Sequence, residues 1–231
     1  MSAGAARNRE AAAMPDRAAP AAGVRGSTIS EMNDQTTDVR SFGHSTIALV
    51  VGDITQVPAD AIVNAANSAF AAGGGVDGAI RAAAGPELSG EMRRRYPAGT
   101  PTGTAVSTGA YGLPARWVIH AVGPVWDQGG QDKLDLLASA YRGVLREAES
   151  LGARTICAAA ISSGIFGFPA EAAADVALRT VADHLRGETG IERVTFVLRP
   201  RAFEAFRRRL PSIQAVGLGS PPRAAQGQAD R

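Results

Sequence analysis

A chain of 231 residues with 45% hydrophobic content can build one large domain or two small ones, and at 5% aromatic its core must rest on Ala, Val, Ile and Leu. A net charge of +2 gives no whole-chain basis for nucleic-acid binding, which needs a strong basic surplus or a basic face. No stretch approaches the length of a membrane span.

Residues 1–42 are Ala, Gly, Ser, Arg and Pro without a sustained hydrophobic period, so they cannot bury enough apolar surface to offset ordering. They are expected to be a disordered N-terminal extension, with Met32 a candidate translation start. Thr46–Val51 then reads as a strand, and Ala61–Val63 as a short buried one. Gly78–Arg94 reads as helical, interrupted or bent near Gly85-Pro86. Thr104–Ser107 and Trp117–Val122 follow as strands.

Leu134–Leu151 carries apolar residues at helical spacing. Thr155–Ile161 is a further buried strand, Ala170–Leu185 a helix with Pro169 at its first turn, Val194–Leu198 the last strand and Ala202–Leu210 the last helix. Residues 43–211 thus form one α/β domain, and 212–231 are expected to be a disordered tail. Strands separated by helices imply a sheet covered on both faces, with ligands bound outside the carboxyl ends of its strands.

Cys157 is the single cysteine, which excludes an intrachain disulfide. Its apolar run makes it a buried small hydrophobe rather than a nucleophile. One Cys and three scattered His argue against a zinc site, so neither metal nor cofactor is expected. The start of the chain lacks the apolar core of a secretory signal, and the protein reads as cytoplasmic. The triplets Arg93–Arg95 and Arg207–Arg209 are not interleaved with aromatics and read as solvated turns of surface helices.

Two loops carry the chemistry. Gly73-Gly74-Gly75 lies between a buried strand and a helix start. Inside a helix or strand each glycine would cost about 1 kcal/mol relative to Ala. Here they suit close approach of backbone to a ligand or positive φ, with a plain flexible surface loop as the alternative, and the free N–H groups of the following helix favour a diphosphate. The segment Ile161–Pro169 repeats this strand, small-residue loop and helix arrangement and can form a second phosphate wall. Of its two aromatics, Phe168 is expected in the core and Phe166 against a ligand sugar. No Gly-Lys-Ser/Thr or dinucleotide fingerprint follows either loop, which counts against an ATPase or a Rossmann dehydrogenase. His120, alone within an apolar strand, reads as a satisfied core or edge residue.

In this order Gly52-Asp53-Ile54-Thr55, Asn64-Ala65-Ala66-Asn67, Gly73-Gly74-Gly75-Val76-Asp77-Gly78-Ala79-Ile80, Leu113-Pro114-Ala115-Arg116, Val118-Ile119-His120-Ala121-Val122-Gly123-Pro124 and Ile161–Pro169 resemble the macro domain family. The resemblance is strongest to its MacroD-type ADP-ribosyl hydrolases and covers about residues 44–210. It implies a three-layer α/β/α fold around a mixed, largely parallel sheet, with an ADP-ribose cleft at the strand ends.

The resemblance also implies residue roles. Asp53 matches the acid that accepts from the adenine amino group, with the Ile54 backbone beside it. Asn67 matches the amide that orients the distal ribose, and Asp77 the acid assigned to catalysis. Asn64, Gly74, Gly75, Val76 and Ser162 belong to the ligand-binding stretches. Ser163, Gly164, Ile165 and Phe166 match the diphosphate loop. The implied activity is removal of mono-ADP-ribose from acidic side chains of proteins and deacetylation of O-acetyl-ADP-ribose, with ADP-ribose and ADP-ribosylated proteins as partners. A non-catalytic ADP-ribose reader and an ADP-ribose 1″-phosphatase are the alternatives.

Elementary chemistry agrees with these roles. A carboxylate can accept the exocyclic N–H of adenine, and a carboxylate near the phosphates can take a proton from an attacking water. Two departures stand out. Ala72 precedes the glycine run where relatives often have a fourth Gly, and Arg81 stands where many carry His. Arg cannot serve as a base at neutral pH, but one turn beyond Asp77 it can pair with that acid or with a phosphate.

Overall fold

The computed structural model describes residues 38–127 and 130–213. The strands are β1 (Asp38–Phe42), β2 (Ser45–Val51), β3 (Ala61–Ala66), β4 (Ala105–Gly109), β5 (Trp117–Val122), β6 (Thr155–Ala158) and β7 (Arg193–Leu198). The helices are α1 (Gly75–Ala84), α2 (Pro86–Arg95), α3 (Gln131–Ser150), α4 (Ala170–Leu185) and α5 (Pro200–Arg209). The strands form one sheet in the order β1-β2-β7-β6-β3-β5-β4. β2, β7, β6, β3 and β5 run parallel, and β1 and β4 close the edges antiparallel. This is the mixed, largely parallel sheet that was expected.

Alternate residues of the central strands serve opposite faces. Ile62, Ala66, Val118, Val122, Cys157 and Val197 pack beneath α1 and α2, with Ile80, Leu88 and Met92. Ala61, Val63, Ile119, Ala121 and Phe196 pack beneath α3, α4 and α5, with Tyr141, Leu178 and Phe206. The result is a three-layer α/β/α fold, in which both faces of the parallel strands are apolar because both are covered. Full burial of one such residue, Leu88, contributes about 1.5–3 kcal/mol. Burial also pushes the Cys157 thiol up to about 12, so it packs as an inert hydrophobe, as its apolar run indicated.

Several expectations need correction. β1 falls within 1–42, the segment expected to lack order. It is a polar edge strand whose residues alternate between partly buried and exposed until Phe42, which is fully buried. The rest of that expectation, with the Met32 start, lies outside the described residues, as does the tail beyond 213. Over Gly78–Arg94 the break foreseen at Gly85-Pro86 is complete, and the segment forms two ten-residue helices. Gly85 ends α1 at φ +90, a conformation L side chains rarely adopt, and Pro86 starts α2 without needing an N–H partner.

β3 runs on to Ala66, which places Asn64 inside the sheet. β6 stops at Ala158, so residues 159–161 already belong to the loop. The two Arg triplets close α2 and α5, where cations complement the helix dipole. Arg208 and Arg209 also reach across to Glu171 and Asp175 of α4. No described helix is long and apolar enough to cross a membrane.

Candidate functional site

A cleft of about 830 Å³ opens at the carboxyl ends of the parallel strands. That is within the range of small-molecule sites. Four strand-to-helix junctions line it. Gly52, Asp53 and Ile54 follow β2, Asn67 and Gly73–Asp77 follow β3, Ala159–Ala170 follow β6, and Arg199, Arg201 and Ala202 follow β7. β6 and β3 are neighbours in the sheet, so their loops stand side by side over the opening.

Both loops offer backbone donors. α1 begins at Gly75, three residues earlier than expected, with Gly74 as its N-cap and no side chain capping it. Its first-turn N–H groups therefore remain available to an anion. In the second loop Gly167 N–H donates to Gly164 O and Phe168 N–H to Ser162 O. These bonds fold residues 162–168 into a compact arch. The N–H groups of Gly164, Ile165 and Phe166 take no partner among the described residues.

The loops meet at their tips. A Cβ on Gly74 would lie 3.4 Å from Ile165 Cδ1, although Ile165 is 79% exposed. Ser162 holds φ +64, and its buried Oγ is unpartnered. Gly123, just after β5, makes room for it, since a Cβ there would stand 2.2 Å from Ser162 Oγ. Phe166 is half-buried along the cleft, whereas Phe168 is buried against Trp126 with ring centroids 4.4 Å apart.

Asp77 sits in the first turn of α1 and is almost fully buried at the cleft wall. Its Oδ2 accepts from Gly73 N–H at 2.8 Å and from Arg81 Nε at 2.7 Å, and its Oδ1 accepts from Asn64 Nδ2 at 2.6 Å. A carboxylate offers about four lone-pair sites, so the one left free is on Oδ1. The Arg81 guanidinium also donates to Ser89 Oγ at 2.9 Å and Phe70 O at 3.1 Å. It ties α1, α2 and the loop before the glycines to this single acid.

Behind Asp77 lies a buried polar chain. Asn64 and His120 are register partners on β3 and β5, with Asn64 Nδ2 and His120 Nδ1 3.2 Å apart. His120 Nε2 is 2.9 Å from Thr108 Oγ1 on β4. The Asp77 carboxylate fixes the Asn64 amide, because a flipped amide would place two oxygens in contact at 2.6 Å. Nδ2 then gives its second hydrogen to His120, whose Nδ1 must be unprotonated and whose Nε2–H points to Thr108. Burial, and next the charge of Arg81, lower the pKa of His120 to about 3 and keep the ring neutral. His120 is thus a satisfied core histidine.

Of the residues singled out by sequence, Asp53, Ile54, Asn67, Gly74, Gly75, Val76, Asp77, Ser162, Ser163, Gly164, Ile165 and Phe166 all line the cleft. Asn64 does not. It is fully buried and donates to Asp77 behind the cleft wall. Both ends of the Asn67 amide are engaged by the backbone of Ala71, at 2.7 and 3.0 Å, which closes the turn ahead of the glycines.

Asp53 caps the short 3-10 turn Ile54–Gln56 through Oδ1, which accepts from Thr55 N–H at 3.0 Å and Thr55 Oγ1 at 2.8 Å. These bonds, more than the nearby Arg199, lower its pKa. Its Oδ2 stays free for a donor. Sequence reasoning gave Gly123 no role of its own and passed over Arg199 and Arg201. The last two could have been found from their position directly after the final strand.

The sequence pattern of the Macro domain matches residues 63–177. A macro domain-containing protein of Streptomyces coelicolor is 52% identical over 169 residues, covering 71% of this chain and 98% of that protein. The O-acetyl-ADP-ribose deacetylase of Escherichia fergusonii is 49% identical over 155 residues, covering 66% and 88%. Among solved structures, the Oceanobacillus iheyensis macrodomain with ADP superposes at a TM-score of 0.73 with 36% identity, covering 78% of this chain and 97% of that one. The Trypanosoma brucei macrodomain in complex with ADP-ribose superposes at 0.65 with 36% identity, covering 70% and 68%. Sheet order, paired amide-lined loops and these likenesses agree, and the chain belongs to the macro domain family.

Proposed function

We propose that this protein binds ADP-ribose along the cleft and hydrolyses the bond joining it to an acyl group, taking as substrates proteins mono-ADP-ribosylated on acidic side chains and O-acetyl-ADP-ribose. Adenine would sit at the free Oδ2 of Asp53 and the diphosphate between the amides of the two loops. The distal ribose would then lie near Asn67 and Phe166. The reading draws support from a deacetylase among the relatives and from macrodomains solved with ADP and ADP-ribose. A cytoplasmic setting belongs to the same reading.

The observation that carries it is the buried carboxylate of Asp77 at the wall between the two loops, with a single lone-pair site unfilled. A water held at Oδ1 would attack the acyl carbonyl carbon and pass a proton to Asp77. The carbonyl would reform as the carbon–oxygen bond to ribose breaks, and the sugar oxygen would take the proton. The amides hold the diphosphate still, which converts a bimolecular attack into one at fixed geometry.

Asp77→Asn tests this. Turnover of Glu-linked ADP-ribose and O-acetyl-ADP-ribose should fall by at least about a hundredfold, with ADP-ribose affinity by calorimetry largely kept. Unchanged turnover would remove Asp77 from the chemistry. A second reading, a module that reads ADP-ribose without cleaving it, is favoured by how nearly saturated Asp77 is. Tight ADP-ribose binding with no product from Glu-, Arg- or Ser-linked substrates or O-acetyl-ADP-ribose would establish that reading instead.

A further inference from the structure

We propose that the rim of the cleft beside Asp53 forms a second anion subsite, made by Arg199 and Arg201, for a phosphate carried on the adenosine ribose of the ligand. The proposal rests on the reading above that ADP-ribose lies with its adenine at Asp53.

Charge is unevenly placed in the cleft. Its charged lining residues are Asp53, Asp77, Arg199 and Arg201. Asp77 is matched by Arg81, which is tied up behind the wall. The two loops that would grip the diphosphate present neutral amides and no cation. Both unmatched guanidinium groups instead follow β7, the strand paired with β2, and Arg199 interacts with Asp53, where the ligand so far assigned is adenine and a ribose, neither of them charged.

Arg199 and Arg201 are exposed, and neither side chain has a hydrogen bond or ion pair among the described residues. The Asp53 carboxylate interacts with the charge of Arg199. Balancing Arg199 against Asp53 still leaves Arg201 uncompensated.

The backbone adds to the same sign. Arg199 follows β7 in extended conformation as the N-cap of α5, and Pro200 opens that ten-residue helix. The positive end of the α5 dipole therefore faces this rim, and Ala202 of its first turn lines the cleft with the two arginines. Paired guanidinium groups and a helix start suit a phosphate monoester or diester, which they bind through forked, charge-assisted hydrogen bonds. In dinucleotide-binding folds an arginine near the adenosine ribose accommodates a 2′-phosphate. Two ligands carry such a group. One is ADP-ribose with a 2′-phosphate. The other is an ADP-ribose dimer, in which the adenosine 2′-oxygen bears the next ADP-ribosyl unit with its own diphosphate.

The test is calorimetry on the full chain with ADP-ribose, 2′-phospho-ADP-ribose and the 2′-linked dimer, repeated on the double variant Arg199→Gln/Arg201→Gln. The readout is the ratio of each ligand's affinity to that of ADP-ribose for the same protein. At least one phosphate-extended ligand should bind the wild type about tenfold or more tighter than ADP-ribose, and the ratio should fall to about one in the double variant. Which ligand gains identifies the source of the phosphate. If ADP-ribose binds but neither extended ligand gains, or if the gain persists in the variant, the subsite is overturned and the ADP-ribose reading stands. If ADP-ribose itself fails to bind, both are overturned together.

Discussion

Arg81 Nε lies 2.7 Å from Asp77 Oδ2 across one turn of α1, with the two side chains only 11% and 5% exposed. A buried guanidinium with three separate acceptors behaves as a bracket rather than a surface charge. Removing it strands a buried carboxylate and also frees Phe70 O and Ser89. Arg81→Ala should therefore cost about 3–5 kcal/mol in urea unfolding. Arg81→Lys should recover part of this, because a lone ammonium can replace the bond to Asp77 but not the planar fork. A loss under about 1 kcal/mol for Arg81→Ala would show that the pair is not holding the site.

His120 sets the response of the fold to acid. Its folded pKa of about 3 lies below the ordinary 6.5 because of burial first and Arg81 next, with Asp77 and Glu91 opposing and Arg95 assisting. Between those values the unfolded chain binds the proton and the folded one does not. Stability should therefore decline as pH falls through this window, by at most about 1.4 kcal/mol per unit from this group. His120→Gln should flatten that slope when unfolding free energy is followed from pH 7 to 4. A wild-type slope retained in full by the variant would assign it to other groups.

Gly123 controls the second loop from below. A side chain there meets Ser162 Oγ and Ile161 Cγ2 at 2.2 and 2.5 Å, and neither atom belongs to a long flexible chain. Gly123→Ala should cost about 1–3 kcal/mol by overpacking and weaken nucleotide binding as the loop moves. Adding Ser162→Gly removes one of the two clashes and also suits φ +64, so the double variant should regain part of the thermal stability. A double variant no more stable than Gly123→Ala would place the strain elsewhere.

Ile165 provides a contrasting case. It is 79% exposed yet reaches toward Gly74 across the cleft mouth. Ile165→Ala should change unfolding free energy by less than about 0.5 kcal/mol. It should raise the dissociation rate of ADP-ribose in stopped-flow measurements, because the contact between the loop tips is lost. An unchanged dissociation rate would mean that the loops do not close over the ligand.

Much of this was legible in the sequence where one local rule dominates. Trp117–Val122 and Ala170–Leu185 have the bounds expected, because a dense apolar strand and a helix opened by Pro leave little choice. The glycine loop was visible because three consecutive glycines are costly inside a helix or strand, and Asp77 because its stretch resembles the macro domain family. β1 was not, since a polar edge strand buries little and takes its shape from pairing with β2.

The pairing of Asn64 with His120 was equally hidden. Fifty-six residues separate them, and only the register of β3 on β5 brings them together. The i,i+4 spacing of Asp77 and Arg81 announced a possible bond, but burial beneath α2 and the reach to Phe70 are tertiary facts.

The amide-lined loops have a consequence for how grip responds to the medium. Main-chain dipoles, unlike charged side chains meeting an anion, bring no ionic groups whose mobile counterions must be displaced. Added potassium chloride should thus scarcely loosen the hold of residues 164–166 and the first turn of α1 on a nucleotide. Replacing Ser163 by another small residue should matter as little, so long as the arch keeps its path.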